Sequence, residues 1–163
     1  METINIILNI VLFLIISQLA TISHEFGHAI PTLIFTRDKV NIILGTNSAK
    51  TKIIKFSKLN IELRGFSPFV GFVNWSTDKM TKTQTIIVYA GGPIVSLIVT
   101  ISLFIFSGTI SNYVLKPIID FSAYYHLYQF IITSIPIIYP KWWVGYGGYS
   151  SDGYNILRLV KNI

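Results

Sequence analysis

The chain contains no cysteine. That excludes disulfides and thiolate metal sites, and leaves the redox compartment unread. Charge is also scarce. Asp, Glu, Lys and Arg make up 12% of the 163 residues, about half the share in a soluble domain. Acidic side chains are the rarer sign, seven against 13 Lys and Arg, for a formal charge of +6. No nucleic-acid recognition module accompanies that excess, so no nucleic-acid partner is expected. No internal repeat interrupts residues 1–163, which read as a single domain.

What fills the chain is apolar. Residues 3–23, 83–115 and 121–140 carry no Asp, Glu, Lys or Arg. Each run reaches the roughly 20 residues that cross a bilayer. The expected fold is therefore membrane α-helical, with three transmembrane helices at about 4–35, 83–106 and 117–139. The first run has neither a basic leader nor a small-residue cleavage site, so it is expected to be retained. Nine of the 13 basic residues fall between the first two runs: Arg37, Lys39, Lys50, Lys52, Lys55, Lys58, Arg64, Lys79 and Lys82. The second connection has only Lys116. By the positive-inside rule the first loop and the C-terminus face the cytoplasm and the N-terminus lies outside. The basic loop would also meet anionic lipid. The expected location is a multi-pass integral protein of a bacterial plasma membrane.

Residues 37–82 change character. Val40–Leu44, Lys52–Phe56 and Asn60–Leu63 are short and rich in β-formers, and Gly45-Thr46-Asn47-Ser48 reads as a turn. Phe69–Val73 follows Pro68 as a fourth strand candidate. Together they predict a small antiparallel sheet at the membrane face. Gly71 would let another backbone approach closely. Further on, Gly92, Ser96 and Thr100 make a small-residue ladder on the second helix. Pro93 frees a carbonyl one turn earlier, a polar group able to face a site. Ser122, His126, Gln129 and Thr133 form one polar stripe on the third helix, expected to face the bundle interior. Trp142-Trp143 reads as an interfacial anchor. Tyr154–Asn162 predicts a short C-terminal interfacial helix.

The chemistry concentrates in His24-Glu25-Phe26-Gly27-His28. Histidines at i and i+4 share one helical face, so both imidazoles can reach one metal ion. Glu25 between them suits a general base acting on metal-bound water. In lipid, three ionisable groups within five residues are costly, which argues against coincidence. A hydrolytic Zn2+ takes three protein ligands and keeps one position open. Asp120, His126 and Asp152 are the candidates for the third. Topology favours Asp152, which follows the cytoplasmic end of the third helix; Asp120 begins on the far face. Asp152 could instead cap the C-terminal helix, and hydrogen bonding between helices explains His126 as well. Ser96 and Gln129 are candidates to assist the reaction.

These motifs resemble, in order, those of the site-2 protease family of intramembrane zinc metalloproteases. His24-Glu25-Phe26-Gly27-His28 is similar to its zinc-binding helix, and Ala90-Gly91-Gly92-Pro93 to its Ala-Gly-Pro signature. Ser151-Asp152-Gly153 resembles its Leu-Asp-Gly segment, which implies Asp152 as third ligand. Phe69–Val73 resembles its Gly-Gly-Tyr-Val strand. The chain departs from the family at Ser96, where asparagine is common. It departs again in the 16-residue step from Pro136 to Asp152, which holds an aromatic, glycine-rich insert. The resemblance implies a catalytic core with metal ligands His24, His28 and Asp152 and Glu25 as catalytic base. It implies a transmembrane protein substrate cleaved in or near the lipid bilayer. The strand edge near Gly71 is expected to pair with the unwound substrate, and Phe72→Pro to impair cleavage. The competing expectation is a proteolytically inactive membrane-binding or regulatory protein that retains the metal site.

Overall fold

The computed structural model describes residues 2–46, 49, 51–76 and 80–163. Asn47 and Ser48 of the expected turn, and Lys50 and Lys79 of the basic loop, lie outside the described residues. The elements run α1 (Glu2–Phe35), β1 (Val40–Leu44), β2 (Thr51–Phe56), β3 (Leu59–Arg64), β4 (Gly71–Asn74), α2 (Lys82–Thr109), α3 (Leu115–Ser134) and α4 (Asp152–Lys161). Among the described residues two helices, α1 from Ile4 and α2, are long and apolar enough to cross a membrane. The third expected span is not among them. It ends at Ser134 rather than Tyr139 and carries Lys116, Asp120, His126 and Gln129 within 20 residues.

The sheet is mixed, not antiparallel as the sequence suggested. Its order is β2-β3-β1-β4. β2 pairs antiparallel with β3 and β1 antiparallel with β4, but β1 and β3 run parallel. The reason lies in β2. It carries Lys52 and Lys55 and is exposed along its whole length, so it suits an edge and not the middle. β3, half-buried throughout, folds back from β2 and takes the inner place beside β1. Asn60 Nδ2 donates to Asn41 Oδ1 at 2.7 Å, between residues in register, which pins this parallel pair.

The sheet packs on one face of α1. Val40, Ile42, Leu44 and Val73 bury against Ala29, flanked by Phe26 and Leu33. Burying each such aliphatic side chain contributes about 1.5–3 kcal/mol. Thr21 Oγ1 donates to Pro68 O at 2.9 Å and ties the chain entering β4 to α1. Behind the sheet, α1 and α2 cross backbone to backbone. A Cβ on Gly27 would lie 2.4 Å from the Gly91 carbonyl oxygen. Thr81 starts α2 with a capping box: its hydroxyl accepts from Gln84 N, and Gln84 Oε1 accepts from Thr81 N.

The aromatic insert after α3 folds on itself. Tyr139 N donates to Tyr149 O, and Ser151 N donates to Ile137 O, each at 2.9 Å. The 16-residue detour therefore closes as a loop and returns the chain to the end of α3. Ser151 locks this return. Its hydroxyl donates to Ile135 O at 2.6 Å and accepts from Ile137 N and Tyr154 N, both at 3.1 Å.

Candidate metal centre

His24 and His28 are buried on the α1 face that meets α2. They fit there because Gly92 lacks a side chain. A Cβ on Gly92 would stand 2.3 Å from His28 Nε2 and 2.7 Å from His24 Nε2. The ladder read as packing is thus also the wall of the site. Ser96 is fully buried, and its Oγ lies 3.0 Å from His24 Nδ1. Val88 O lies 2.7 Å from His28 Nδ1, a distance that requires an Nδ1 proton. That carbonyl sits one residue before the one Pro93 frees. Both rings are held by Nδ1, which leaves Nε2 of each for a ligand, the arrangement typical of metal-binding histidines.

The Nε2 atoms of His24 and His28 are 3.2 Å apart. Asp152 Oδ2 is 3.3 Å from His24 Nε2 and 3.5 Å from His28 Nε2. Donors placed about 2.0–2.1 Å from a tetrahedral ion are separated by about 3.3–3.4 Å. The three observed edges bracket that value, so these residues fit a small divalent cation. Among the described residues, this is the group of three ligand-type side chains close enough to share an ion. Burial alone would push the Asp152 carboxyl up. The neighbouring His28 and His24 outweigh it and hold the group below the ordinary carboxylate range.

The competing role for Asp152 falls to its neighbour. Ser151 is the N-cap of α4, with its side chain accepting from Tyr154 N. Asp152 occupies the first helical position, which frees its carboxylate to turn toward α1. A Cβ on Gly153 would collide with the Ser134 carbonyl, so glycine there lets α4 seat against the end of α3. The other third-ligand candidates lie outside the group. Asp120 accepts from Ser107 Oγ and pairs with Lys116 at 3.6 Å, joining the connection between α2 and α3. His126 is buried on α3, and its Nδ1 has no hydrogen-bond partner among the described residues.

Glu25 is buried but is not one of the three residues of this group. It faces β4. A Cβ on Gly71 would lie 2.6 Å from Glu25 Cγ, so only glycine allows the strand this close. Both border a cavity of about 400 Å3 shared with His24, His28 and Asp152. Trp75 and Gln129 line the same cavity, and Trp75 Nε1 and Gln129 Oε1 are buried without a hydrogen-bond partner among the described residues. The rest of the expected stripe bonds within its own helix: Ser122 to Ile118 O and Thr133 to Gln129 O. Sequence reasoning did not single out Tyr146, which also lines the cavity and bonds Gly71. Its place in an aromatic, glycine-rich insert just before Asp152 was the available signal.

Comparisons with family models, curated proteins and solved structures give no match to this chain.

Proposed function

We propose that the protein is a membrane-embedded metal-dependent hydrolase, and specifically a zinc endopeptidase of the site-2 protease type. The observation that carries this reading is the near-tetrahedral spacing of His24, His28 and Asp152 next to a separate buried carboxylate, Glu25. Zinc held by that triad would supply Lewis acidity and lower the pKa of water toward neutrality.

The chain's own residues account for the rest. Glu25 takes the proton of the attacking water and passes it to the leaving amine. Its contact with Gly71 means that a peptide lying along β4 runs past the base. The cavity around them limits competing water. A transmembrane substrate must unwind before attack, because helical backbone is bonded to itself.

Membrane residence rests on two helices of sufficient length and apolarity. Their most apolar windows are only 22% and 28% buried, so the rest of the chain does not cover them as it would a soluble core helix. Exposed Ile4, Ile7, Leu8, Val11, Ile15 and Leu19 line the outer part of α1. α3 completes the bundle as a third membrane helix, with His126 and Gln129 turned inward. The basic loop orients the N-terminus outside a bacterial plasma membrane and the metal centre near the cytoplasmic side.

Glu25→Gln tests the reading. Co-expression with a library of single-span segments should show cleavage by the native chain and a loss of at least about 100-fold in the variant. Bound zinc should stay at one per chain. Undiminished turnover in Glu25→Gln refutes the role of the base. No cleavage by the native chain, with zinc bound, favours the silent membrane protein instead.

A further inference from the structure

β4 is an edge strand. Backbone groups alternate in direction along an antiparallel pair. Val70 O accepts from Gly45 N across the sheet, so Val70, Phe72 and Asn74 address β1. Gly71 therefore turns its N–H and C=O to the open edge, where a further strand would pair. Both groups are already taken. Gly71 N donates to the Tyr146 hydroxyl at 2.9 Å, and that hydroxyl donates to Gly71 O at 3.1 Å. One phenol, as donor and acceptor together, fills both positions that a partner strand would use at Gly71.

The phenol is suited to that double role. Burial, with the charge of Glu25 next in size, pushes its pKa above the ordinary range, so it keeps its proton. The Tyr146 and Tyr149 rings also pack on Phe72, with centroids at 5.2 and 5.3 Å. The segment that carries them is closed by its own bonds: Tyr139 N to Tyr149 O, Gly148 N to Tyr139 O, and Gly147 N to Trp143 O. It can leave β4 as a unit without breaking those bonds.

Building on the proteolytic reading above, we propose that residues 139–149 form a strap in which Tyr146 occupies the β4 edge in place of substrate, so that an extended peptide must displace it to lie against Glu25. The strap gates the same site that it borders. It admits chains able to offer an unwound backbone, and keeps the base covered between turnovers.

A disulfide lock tests this in a chain with no native cysteine. A Cβ on Gly145 would stand 3.4 Å from Val70 Cβ, at the short edge of the roughly 3.5–4.5 Å of disulfides. Val70→Cys with Gly145→Cys is placed in the Glu25→Gln background, so that binding is read without hydrolysis. The probe is a fluorescein-labelled decapeptide of alternating Thr and Val, followed by anisotropy in detergent micelles. Oxidation should abolish binding and reductant should restore it, with zinc retained in both states. Tyr146→Phe, which removes both bonds to Gly71, should bind the peptide about 10-fold more tightly. Equal binding by the oxidised and reduced forms overturns the strap. So does a Tyr146→Phe variant that binds no better than its parent, or not at all. Absence of cleavage by the native chain would count against the proteolytic reading and leave these binding outcomes decisive for the strap.

Discussion

Gly92→Ala isolates the packing that makes the metal centre possible. In an exposed helix interior this change stabilises by about 1 kcal/mol, because alanine is the better helix former. Here the sign should reverse. The new methyl would stand 2.3 Å from His28 Nε2 and 2.7 Å from His24 Nε2. Neither ring can retreat freely, since Ser96 and Val88 hold their far sides at 3.0 and 2.7 Å. Overpacking of this kind costs about 1–3 kcal/mol. Spent at the ligands, it lowers metal affinity about 5- to 150-fold. Competition against a fluorescent zinc chelator measures this directly. Gly108→Ala is the internal control, because the same helix has nothing within 4 Å of a Cβ there. It should leave zinc affinity unchanged. Native-like zinc affinity in Gly92→Ala would refute the close approach of α2 to the histidines, and with it the proposed site geometry.

Ser96→Ala should weaken zinc binding about 10- to 100-fold while the protein stays folded, since it removes only the group that orients His24. The chelator assay reads it, and unchanged affinity would assign Ser96 to packing alone. Ser151→Ala removes the cap of α4 and the lock on the returning loop. It should cost about 1–2 kcal/mol in thermal or denaturant unfolding and also loosen zinc, because Asp152 follows directly. Asp152→Ala should abolish stoichiometric zinc, whereas Asp120→Ala should leave zinc content at one per chain. Elemental analysis of the purified variants separates the two aspartates.

The Phe72→Pro test suggested by the sequence needs replacing. Phe72 addresses β1, so proline there would break the sheet itself and not only its free edge. That face assignment depended on register, which a run of five apolar residues does not reveal. Sheet order was hidden for a related reason. Four short strands read as an antiparallel sheet, but the lysines of β2 suit it to the edge, and β3 lies parallel to β1. The third expected span is less apolar than the first two, and among the described residues only α1 and α2 are apolar enough by themselves to cross a membrane. An absence of Asp, Glu, Lys and Arg in residues 121–140 does not make a segment apolar when it holds His126, Gln129 and four tyrosines.

By itself the sequence determined the local geometry. Helical periodicity puts His24 and His28 on one face whatever surrounds them, and charge-free runs mark where long apolar helices form. Turn and cap residues mark where they stop. Tertiary structure decided everything that depends on distant segments meeting. It brought Asp152, and not Asp120 or His126, to the two histidines, gave the cap to Ser151, set Ser96 and Val88 against the imidazoles, and laid Tyr146 on Gly71. The physical reason is that ligand geometry is fixed to tenths of an ångström by close packing at Gly27, Gly71, Gly91 and Gly92. A missing side chain appears in a sequence only as a glycine, and what fills its space appears only in the fold.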